Sequence, residues 1–468
     1  MSELLAGHPS GAVALVDADQ GLEVTYGELR ERVGQSAAWL RRELEGGLVF
    51  HVATNTPASI ALYLACLEAR CPVALLEPAP ADRLEPLLRA YGPDAVLLPA
   101  DTEMPAGRRP GPMLPEAEYR MALRRAGSGP RPLHPDLALL LTTSGSTGSP
   151  KLVRLTRGNV AANARSIVEY LAIGPGERSV QSLPMHYSYG LSLVNSHLLA
   201  GATVVVTRHS FMRPEFWGAF DRAGCTSLAG VPYVYETLHR LRFDPARHPS
   251  LRTLTQAGGG LRPDLIQAFH DRARAAGARF FVMYGQTEAT ARIAYVPWER
   301  LGEKIGFIGV AIPRGRLSLA PVEDSEQQEL IYEGPNVMMG YADSAADLAA
   351  GDELNGTLRT GDLAAADGEG FFKLTGRLKR VAKLFGRRIS LEELEHELQA
   401  RYPVDAAVVD RDGRLLVFAV ARGDVDLTGI GHSLARQLGV PPKSVHVEAV
   451  AAIPLTASGK KDYKALPS

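Results

Sequence analysis

The sequence predicts an α/β protein with a large N-terminal domain of several α/β layers and a small C-terminal α+β domain. Segments with helical periodicity alternate with short apolar segments typical of strands as far as about residue 300, which indicates a mostly parallel sheet. Beyond that point shorter strands and turn residues dominate, and a basic stretch at 377–388 precedes an acidic helix at 391–398. A chain of 468 residues is long enough for two or more domains.

The N-terminal elements follow from periodicity and capping. Residues 26–45 have helical period, and Thr25 before them is a good N-cap. Residues 59–70 form the next predicted helix, and 102–132, rich in Pro, Gly and Arg, predicts an exposed connection. Apolar runs predict strands at 48–53, 72–76, 95–98, 137–141, 179–183, 203–207, 227–229, 253–257 and 279–283.

The C-terminal part of the chain has a different pattern of predicted secondary structure. Shorter strands are predicted at 330–334, 370–374, 406–409, 415–420 and 444–447, the last three alternating with helix. The change in pattern and the basic residues at 377–380 predict a domain boundary there, which divides the chain into 1–378 and 379–468.

Composition excludes several classes of protein. Fifty-one Lys and Arg against 52 Asp and Glu leave a net charge of −1, so neither nucleic acid nor an anionic membrane is expected as the main partner. The start of the chain lacks the pattern of a signal peptide, and no apolar run approaches the ~18 residues of a spanning helix. Cys66, Cys71 and Cys225 lack metal-ligand spacing and suit a reducing compartment. We therefore expect a soluble cytoplasmic protein without membrane insertion.

The most informative segment is the loop at 142–151, TTSGSTGSPK, which follows the apolar run at 137–141. Glycines allow backbone N–H groups to turn toward an anion, hydroxyls add donors, and a lysine adds a positive charge. The segment therefore predicts a phosphate cradle, although its glycine spacing is not that of a P-loop. A flexible Ser/Gly linker is the alternative. The candidate phosphate-binding residues are Thr143, Ser144, Gly145, Ser146, Thr147 and Lys151.

A second polar segment, 284–288, follows the predicted strand 279–283 and therefore lies at a strand's carboxyl end, where α/β sheets bind ligands. By side-chain chemistry, Tyr284 can stack on a base, Thr287 can donate to a phosphate, and Glu288 can hold Mg²⁺. An ordinary surface turn is the alternative for this segment.

Three further segments carry weaker signals. Asp362, in the segment 359–362, can accept from both hydroxyls of a ribose, but Gly-Asp is also a common turn pair. Arg377, in the segment 376–379, can reach nucleotide oxygens, but a solvated basic linker has the same composition. Lys460, in the segment 456–461, lies near the C-terminus, where a lysine is usually a solvated charge.

Taken together and in this order, the five segments resemble those of the adenylate-forming superfamily, which includes acyl-CoA and aryl-CoA synthetases, firefly luciferase and nonribosomal peptide synthetase adenylation domains. The resemblance spans at least 137–466, and the segment 335–341 also resembles that superfamily. It implies a large N-terminal domain and a mobile C-terminal domain with its hinge at Lys379. It also implies that a carboxylate attacks the α-phosphorus of ATP with release of pyrophosphate, and that a thiol then displaces AMP.

The resemblance also implies a role for each matched residue. The loop 143–151 would hold the β- and γ-phosphates, Tyr284 the adenine, Thr287 the α-phosphate and Glu288 Mg²⁺. Asp362 would hold the ribose hydroxyls with help from Arg377. Lys460 would bridge the carboxylate and the α-phosphate, with the adjacent Lys461 as the competing assignment. Gly386 would line the path of the thiol arm.

Resemblance also places the acyl pocket near 184–190, 231–232 and 258–260. Its predicted residues are Tyr187, Ser188, Val231 and Gly260, with Gly258 and Gly259 toward the nucleotide and His186 at the pocket mouth as a catalytic candidate. Core packing is the alternative for His186, Tyr187 and Tyr189. Ser188 stands where α-amino acid enzymes carry an aspartate, and a buried ammonium without a carboxylate is costly. An acyl or aryl acid is therefore expected.

The acceptor stays open between coenzyme A and the phosphopantetheine arm of a carrier protein, because both present the same thiol. The helical segment 391–395 is more similar to that of carrier-loading relatives. Two other functions remain: an adenylate-forming ligase with an amine acceptor, and a degenerate relative that only binds nucleotide or acyl groups. The retained Lys151, Glu288, Asp362, Arg377 and Lys460 argue against the second.

Overall fold

The chain is described here from a computed structural model. The described residues are 3–79, 81–124, 132–142, 151–323, 325–384, 387–411, 413–423, 425–438, 440–456 and 461–467. The chain divides into two compact units, one containing Met1–Arg316 and Tyr332–Leu358, the other Leu317–Ile331 and Arg359–Ser468. The boundary predicted at 378/379 and the hinge at Lys379 stay predictions.

The strands are numbered in chain order. They are β1 Val13–Asp17, β2 Leu22–Thr25, β3 Val49–Val52, β4 Val73–Leu76, β5 Ala95–Pro99, β6 Arg109–Pro110, β7 Tyr119–Leu123, β8 Leu137–Thr142, β9 Leu152–Thr156, β10 Arg178–Val180, β11 Thr203–Val206, β12 Ser227–Gly230, β13 Thr253–Gln256, β14 Arg279–Tyr284, β15 Ala294–Tyr295, β16 Val310–Ala311, β17 Arg316–Pro321, β18 Gln328–Glu333, β19 Gly340–Ala342, β20 Thr357–Ala366, β21 Phe372–Arg377, β22 Val381–Leu384, β23 Arg387–Ser390, β24 Val404–Arg411, β25 Arg414–Ala421 and β26 Val445–Ala449.

The helices are α1 Tyr26–Leu44, α2 Pro57–Ala69, α3 Ala81–Tyr91, α4 Arg157–Leu171, α5 Ser188–Leu199, α6 Pro214–Arg222, α7 Pro232–Arg240, α8 Pro263–Ala275, α9 Leu391–Arg401 and α10 Leu427–Leu438. Thr25 caps α1 as predicted, because its side chain accepts from the Glu28 N–H while the Glu28 carboxylate accepts from the Thr25 N–H. Within the described part of the chain, none of these helices has both the length and the apolar character needed to cross a bilayer.

A nine-stranded sheet of the first unit has the order β16-β15-β14-β13-β12-β10-β11-β1-β2. From β14 to β1 all neighbours are parallel, which confirms the parallel sheet predicted from the alternation of strands and helices. Within this parallel part, β11, β12, β13 and β14 are short and almost wholly buried, as expected when helices cover both faces. The predicted fold class, a multi-layer α/β domain with a smaller α+β region, is therefore confirmed.

The eight-stranded sheet of the same unit has the order β19-β9-β8-β4-β3-β5-β7-β6. The prediction that 102–132 is simply an exposed connection is wrong, because Tyr119–Leu123 is a mostly buried strand that pairs antiparallel with β5. Four of its five residues are buried, and the Pro and Gly residues on the N-terminal side of this strand hid its apolar pattern.

In the described part of the second unit there are three small sheets, ordered β17-β18-β20-β21, β22-β23 and β24-β25-β26. Helices α9 and α10 contribute Leu394, Leu398, Ile430 and Leu434 to a core that includes Val417 of β25. This arrangement of helices beside mostly antiparallel strands is the predicted α+β region.

A buried ion network lies inside the second unit around Glu395, which is 3% exposed. Its carboxylate accepts from Arg380 at 2.7 Å, Lys461 at 2.8 Å, Tyr463 at 3.1 Å and the Val408 N–H at 2.8 Å. Burial by itself would raise the pKa of Glu395, but Lys461 and Arg380 outweigh burial and hold that pKa below its ordinary value. The network joins the end of the chain to α9 and β24.

Replacing Glu395 by glutamine is expected to lower the free energy of unfolding by about 3–5 kcal/mol at neutral pH, because it leaves two partly buried cations, Arg380 and Lys461, without their buried carboxylate. Since the pKa of Glu395 is lowered in the folded state, the stability from this carboxylate is present above its ordinary value of 4.5. That stability is lost as pH falls through the lowered folded pKa. Denaturant unfolding from pH 7 to pH 3 measures both effects.

Glu397→Gln is the matched control, because Glu397 is on the same helix and pairs with Arg401 nearer the surface. Its effect is expected to stay within about 0.5 kcal/mol. Equal effects of the two substitutions, or a difference between wild type and Glu395→Gln that does not shrink in acid, would contradict the role of the network.

Candidate active site

The segments after β12, β13 and β14 emerge at one edge of the nine-stranded sheet. These strands are parallel neighbours in register, with Gly230 opposite Gln256 and Gln256 opposite Val282. Val231, the loop 258–260 and the segment 284–288 therefore begin at the same side of the sheet. Ligands of open α/β sheets bind at this edge, beyond the carboxyl ends of the strands.

Glu288 is the centre of the polar group at this edge. It lies in a short 3₁₀ turn, Thr287–Ala289, and its carboxylate accepts from the Tyr341 hydroxyl at 2.7 Å. The Lys151 ammonium lies 3.6 Å from the centroid of the same tyrosine ring. The structure thus brings Lys151 and Glu288 to one side chain. Burial and the neighbouring carboxylate raise the pKa of Tyr341, so its hydroxyl stays a donor.

Arg154 holds Tyr341 in this position. Its side chain is completely buried on β9, and β19 pairs with β9 so that Gly340 lies opposite Arg154. The guanidinium donates to the Tyr341 carbonyl at 3.0 Å, to the Gly351 carbonyl at 3.3 Å and to the Glu353 carboxylate at 2.6 Å. One arginine therefore fixes both a strand and the loop that follows it. Nothing in the sequence indicated this role for Arg154 or the position of Tyr341.

Asn336 holds the turn that carries Glu288. Its side-chain N–H₂ donates to the carbonyls of Ala289 and Arg292 at 2.8 and 2.9 Å, and its carbonyl oxygen accepts from the Tyr332 hydroxyl at 2.7 Å. The turn contains Thr290 at a φ of +64°, an uncommon conformation for a residue with a branched side chain. The resemblance of 335–341 to the superfamily directed attention to the segment that contains Asn336. It did not specify that Asn336 contacts the turn of Glu288.

Gly285→Ala is expected to destabilise the first unit by about 1–3 kcal/mol or more and to lower substrate activation. A Cβ at Gly285 would lie 1.8 Å from the Ala291 carbonyl oxygen and 2.9 Å from the Arg292 Cα, so the backbone of the turn has to move. Thermal unfolding and ATP–pyrophosphate exchange measure the two effects.

Gly174→Ala is the control, because nothing lies within 4 Å of a Cβ at that position and its φ is not in the left-handed region. Its melting temperature should match that of the wild type. A stable and fully active Gly285→Ala variant would show that the turn is free to move.

The predicted acyl-pocket residues also come together. A Cβ at Gly258, whose φ is +86°, would lie 2.6 Å from the Tyr187 hydroxyl and 3.0 Å from Val231 Cγ1, so a side chain there would enter the space beside them. The Ser188 hydroxyl at the start of α5 lies 3.3 Å from that of Thr287. These contacts join 187–188, 231 and 258 to the segment 284–288.

The remaining candidates of this loop group lie nearby. Gln256 donates to the Gly259 carbonyl at 2.8 Å, and Gly260 is exposed at the end of the loop. Tyr284 is 8% exposed, and its hydroxyl accepts from Gln286 at 3.0 Å. His186 is half-buried, and burial lowers its pKa to about 4, so it is uncharged at neutral pH. The assignment of each to nucleotide or pocket stays a prediction.

Arg292 is a buried cation that the sequence did not reveal. Its side chain is among the largest that are fully buried, and its guanidinium lies 3.9 Å from the centroid of the Tyr189 ring. Arg292 also interacts electrostatically with Tyr187, so a buried positive charge lies near a residue predicted for the acyl pocket. In the sequence, Arg292 looks like any other arginine after a turn.

Asp362 and Arg377 lie in the second unit and form an ion pair with an N–O distance of 2.7 Å. They are opposite each other on β20 and β21, and Asp362 is 1% exposed. Thr360 supports this pair, because its hydroxyl accepts from the Asp362 N–H and donates to the Leu330 carbonyl. The structure therefore joins the two residues that the sequence suggested for the ribose.

Several predicted residues are not described. The loop residues Thr143 to Thr147, Lys460 and Gly386 lie outside the described residues. Lys379 lies in the 3₁₀ turn Leu378–Arg380. Lys461, the competitor of Lys460, is bound to Glu395 and to the Ala406 carbonyl, so it already has a structural role.

Among the residues that the structure describes, no group of three or more His, Cys, Asp or Glu side chains could enclose a metal ion. A single carboxylate, Glu288, nevertheless fits Mg²⁺, because this ion keeps several waters and is commonly held by one or two carboxylates together with substrate phosphates.

Comparison with known proteins decides the family. The family model described as "AMP-binding enzyme" matches residues 2–342. The chain belongs to this family. It is therefore an acyl-adenylate-forming, AMP-releasing acid–thiol ligase, and the resemblance to the adenylate-forming superfamily is confirmed.

Individual relatives of this AMP-binding enzyme agree. A feruloyl-CoA synthase of an Amycolatopsis species is 32% identical over 403 residues, which cover 83% of this chain and 80% of the relative. Phosphinothricin tripeptide synthetase PhsB of Streptomyces viridochromogenes is 31% identical over 498 residues, 97% of this chain and 40% of that one. The structure of O-succinylbenzoate coenzyme A synthetase (MenE) from Bacillus subtilis, in complex with ATP and magnesium, shares the fold, with a TM-score of 0.77, 22% identity and 98% of each chain covered.

Proposed function

We propose that this AMP-binding enzyme activates an acyl or aryl carboxylic acid, and not an α-amino acid, and passes the acyl group to the thiol of coenzyme A. The observation that carries the proposal is the meeting of Lys151 and Glu288 at Tyr341, at the carboxyl edge of β14. A cation and a carboxylate at one point suit a polyanion that binds with a divalent metal ion.

In the first step an oxygen of the acid forms a bond to the α-phosphorus of ATP, and the bond from that phosphorus to the bridging oxygen breaks to release pyrophosphate. Mg²⁺ held by Glu288 would neutralise phosphate charge. Lys151 would bind the departing phosphates, and Thr287 and Lys460 would stabilise charge on the α-phosphate. Asp362, paired with Arg377, would accept from the ribose hydroxyls.

In the second step the thiol sulfur forms a bond to the acyl carbon, AMP leaves with the electrons of the broken C–O bond, and the thiol proton passes to solvent. Several relatives are named as CoA ligases, which supports coenzyme A as acceptor. The similarity of 391–395 to carrier-loading relatives has another explanation, since Glu395 is engaged inside the second unit with Arg380 and Lys461.

Two observations support an acid without an α-ammonium. Ser188 stands where a carboxylate would be needed, and its hydroxyl lies beside the Thr287 hydroxyl instead. Arg292, buried beside Tyr189, adds a positive charge to the same region, and two like charges in a buried site repel each other. An α-ammonium would therefore bind poorly.

ATP–pyrophosphate exchange with a panel of aliphatic, aryl and α-amino acids tests the proposal. Exchange with acyl or aryl acids alone is expected, followed by thioester formation when coenzyme A is added. Tight binding of aminoacyl sulfamoyl-adenosines with no response to acyl ones would overturn the choice of acid.

The acceptor is tested separately by trapping the adenylate with hydroxylamine, with and without coenzyme A or a phosphopantetheinylated carrier protein. Coenzyme A should divert the acyl group from hydroxylamine to a thioester. Diversion only by the carrier protein, or only by an added amine, would replace coenzyme A as acceptor. Release of phosphate instead of pyrophosphate would contradict adenylate formation.

A further inference from the structure

Arg292 carries a buried charge that takes no part in either step of the proposed reaction. Its side chain is 2% exposed, and its Nε has no hydrogen-bond partner in the described part of the chain. The guanidinium faces the Tyr189 ring at 3.9 Å and also interacts with the Tyr170 hydroxyl. An arginine stays protonated in proteins, so this site contains a full positive charge removed from water.

The surrounding side chains do not neutralise this charge. Among the described residues, no carboxylate forms an ion pair with Arg292, in contrast to the completely buried Arg154, which reaches Glu353 at 2.6 Å. Burial raises the pKa of Tyr187 to about 12 and raises those of Tyr170 and Tyr189 despite the nearby Arg292. All three are therefore neutral at pH 7, and cation–π contact alone does not replace the hydration of a guanidinium.

The charge lies near a residue predicted for the acyl pocket, because Arg292 interacts electrostatically with Tyr187. Its ring contact, Tyr189, follows Ser188, whose hydroxyl lies 3.3 Å from that of Thr287. The backbone of Arg292 is held in place, because its carbonyl accepts from Asn163 at 3.2 Å and from Asn336 at 2.9 Å. Arg292 is thus preorganised, and it lies four residues after Glu288 in the chain.

We propose that Arg292 binds a second carboxylate on the acid substrate, so that the substrate class is dicarboxylic acids. The inference rests on the proposed function, since it concerns the acid that enters the same pocket. A guanidinium and a carboxylate match geometrically through two parallel N–H···O bonds, and the pair would supply the counter-charge that the pocket lacks. The other carboxylate of the substrate would be the one that attacks ATP.

Matched pairs of substrates test the inference with the unaltered enzyme. Each pair consists of a dicarboxylic acid and its monoamide, which has nearly the same shape and lacks one charge. The pairs are aliphatic acids of three to eight carbons and the benzenedicarboxylic acids. In ATP–pyrophosphate exchange, the best dicarboxylic acid should exceed its monoamide in kcat/KM on the order of 100-fold, because only the former neutralises Arg292.

Variants assign the selectivity to the residue. Arg292→Gln should raise KM for the dicarboxylic acid on the order of 100-fold and change that for the monoamide only a few-fold, and Arg292→Lys should restore part of the preference. Arg165→Gln, which removes a half-exposed arginine of α4 that pairs with Glu3, is the control and should leave the preference unchanged. If Arg292→Gln does not fold, the wild-type comparison still decides.

The outcomes separate this inference from the proposed function. Exchange with neutral monocarboxylic acids and monoamides, without preference for any dicarboxylic acid, would overturn the inference and leave the proposed function standing. A preference for dicarboxylic acids that persists in Arg292→Gln would also overturn it. No exchange with any acid of either kind would overturn both.

Discussion

Alanine in place of Lys460 is expected to reduce ATP–pyrophosphate exchange by about 10²–10³-fold, the usual cost of losing one group that stabilises charge in the transition state. Lys460 lies outside the described residues, and its assignment comes from the resemblance of 456–461 to the superfamily. Exchange measured at saturating ATP and acid separates the loss of transition-state stabilisation from weaker substrate binding.

Lys461→Ala is the matched control, because the same change is made one residue later. The Lys461 ammonium is bound to Glu395 at 2.8 Å and to the Ala406 carbonyl inside the second unit. Its loss is expected to lower the stability by about 3 kcal/mol, by leaving Glu395 one cation short, and to change exchange only a few-fold. The opposite result, with Lys461→Ala inactive and Lys460→Ala active, would reverse the assignment.

Glutamine in place of Glu288 is expected to raise the Mg²⁺ concentration for half-maximal exchange on the order of 100-fold, because the amide keeps the shape and loses the charge that a hard cation needs. Removal of Mg²⁺ with a chelator should abolish exchange in both proteins. High Mg²⁺ should restore the variant partly, which distinguishes a weakened metal site from a misfolded one.

Two further variants define the Mg²⁺ effect. Tyr341→Phe keeps the Glu288 carboxylate and removes the 2.7 Å hydrogen bond that orients it, so a shift of about tenfold is expected. Glu299→Gln removes an exposed carboxylate of the same unit and should leave the Mg²⁺ dependence unchanged. An unchanged Mg²⁺ requirement in Glu288→Gln would remove this residue from the metal site.

The edge of the sheet that carries these residues could be predicted in part. The strands that became β12, β13 and β14 were all predicted from apolar runs, and the polar segment 284–288 at the end of β14 indicated a ligand edge. The order of the strands could not be predicted, because local periodicity does not show which strands pair. The strand β7 could not be predicted either. A short buried strand among Pro and Gly residues has the composition of a loop.

Sequence analysis did not predict most of the side chains that position the site. Asn336 holds the turn of Glu288, Tyr341 orients its carboxylate, and Arg154 holds Tyr341. Each acts on a residue more than forty positions away in the chain. Arg154 reaches Tyr341 because β9 and β19 pair in the folded sheet, and local sequence does not show this pairing. Resemblance directed attention to 335–341 without specifying what these residues contact.

The amino-acid sequence was sufficient for the fold class, for the superfamily and for the kinds of side chain that a nucleotide and a metal ion require, because these follow from local pattern and from motifs in a fixed order. The tertiary structure alone decided which groups meet. It placed Tyr341 on Glu288, 53 residues away, and Lys461 on Glu395, 66 residues away. It also buried Arg292 beside Tyr189 with no paired carboxylate among the described residues, which changes a common surface residue into a candidate for selecting the substrate. Burial and long-range pairing arise only when sheets and helices pack, so the chain's local chemistry could not reveal them.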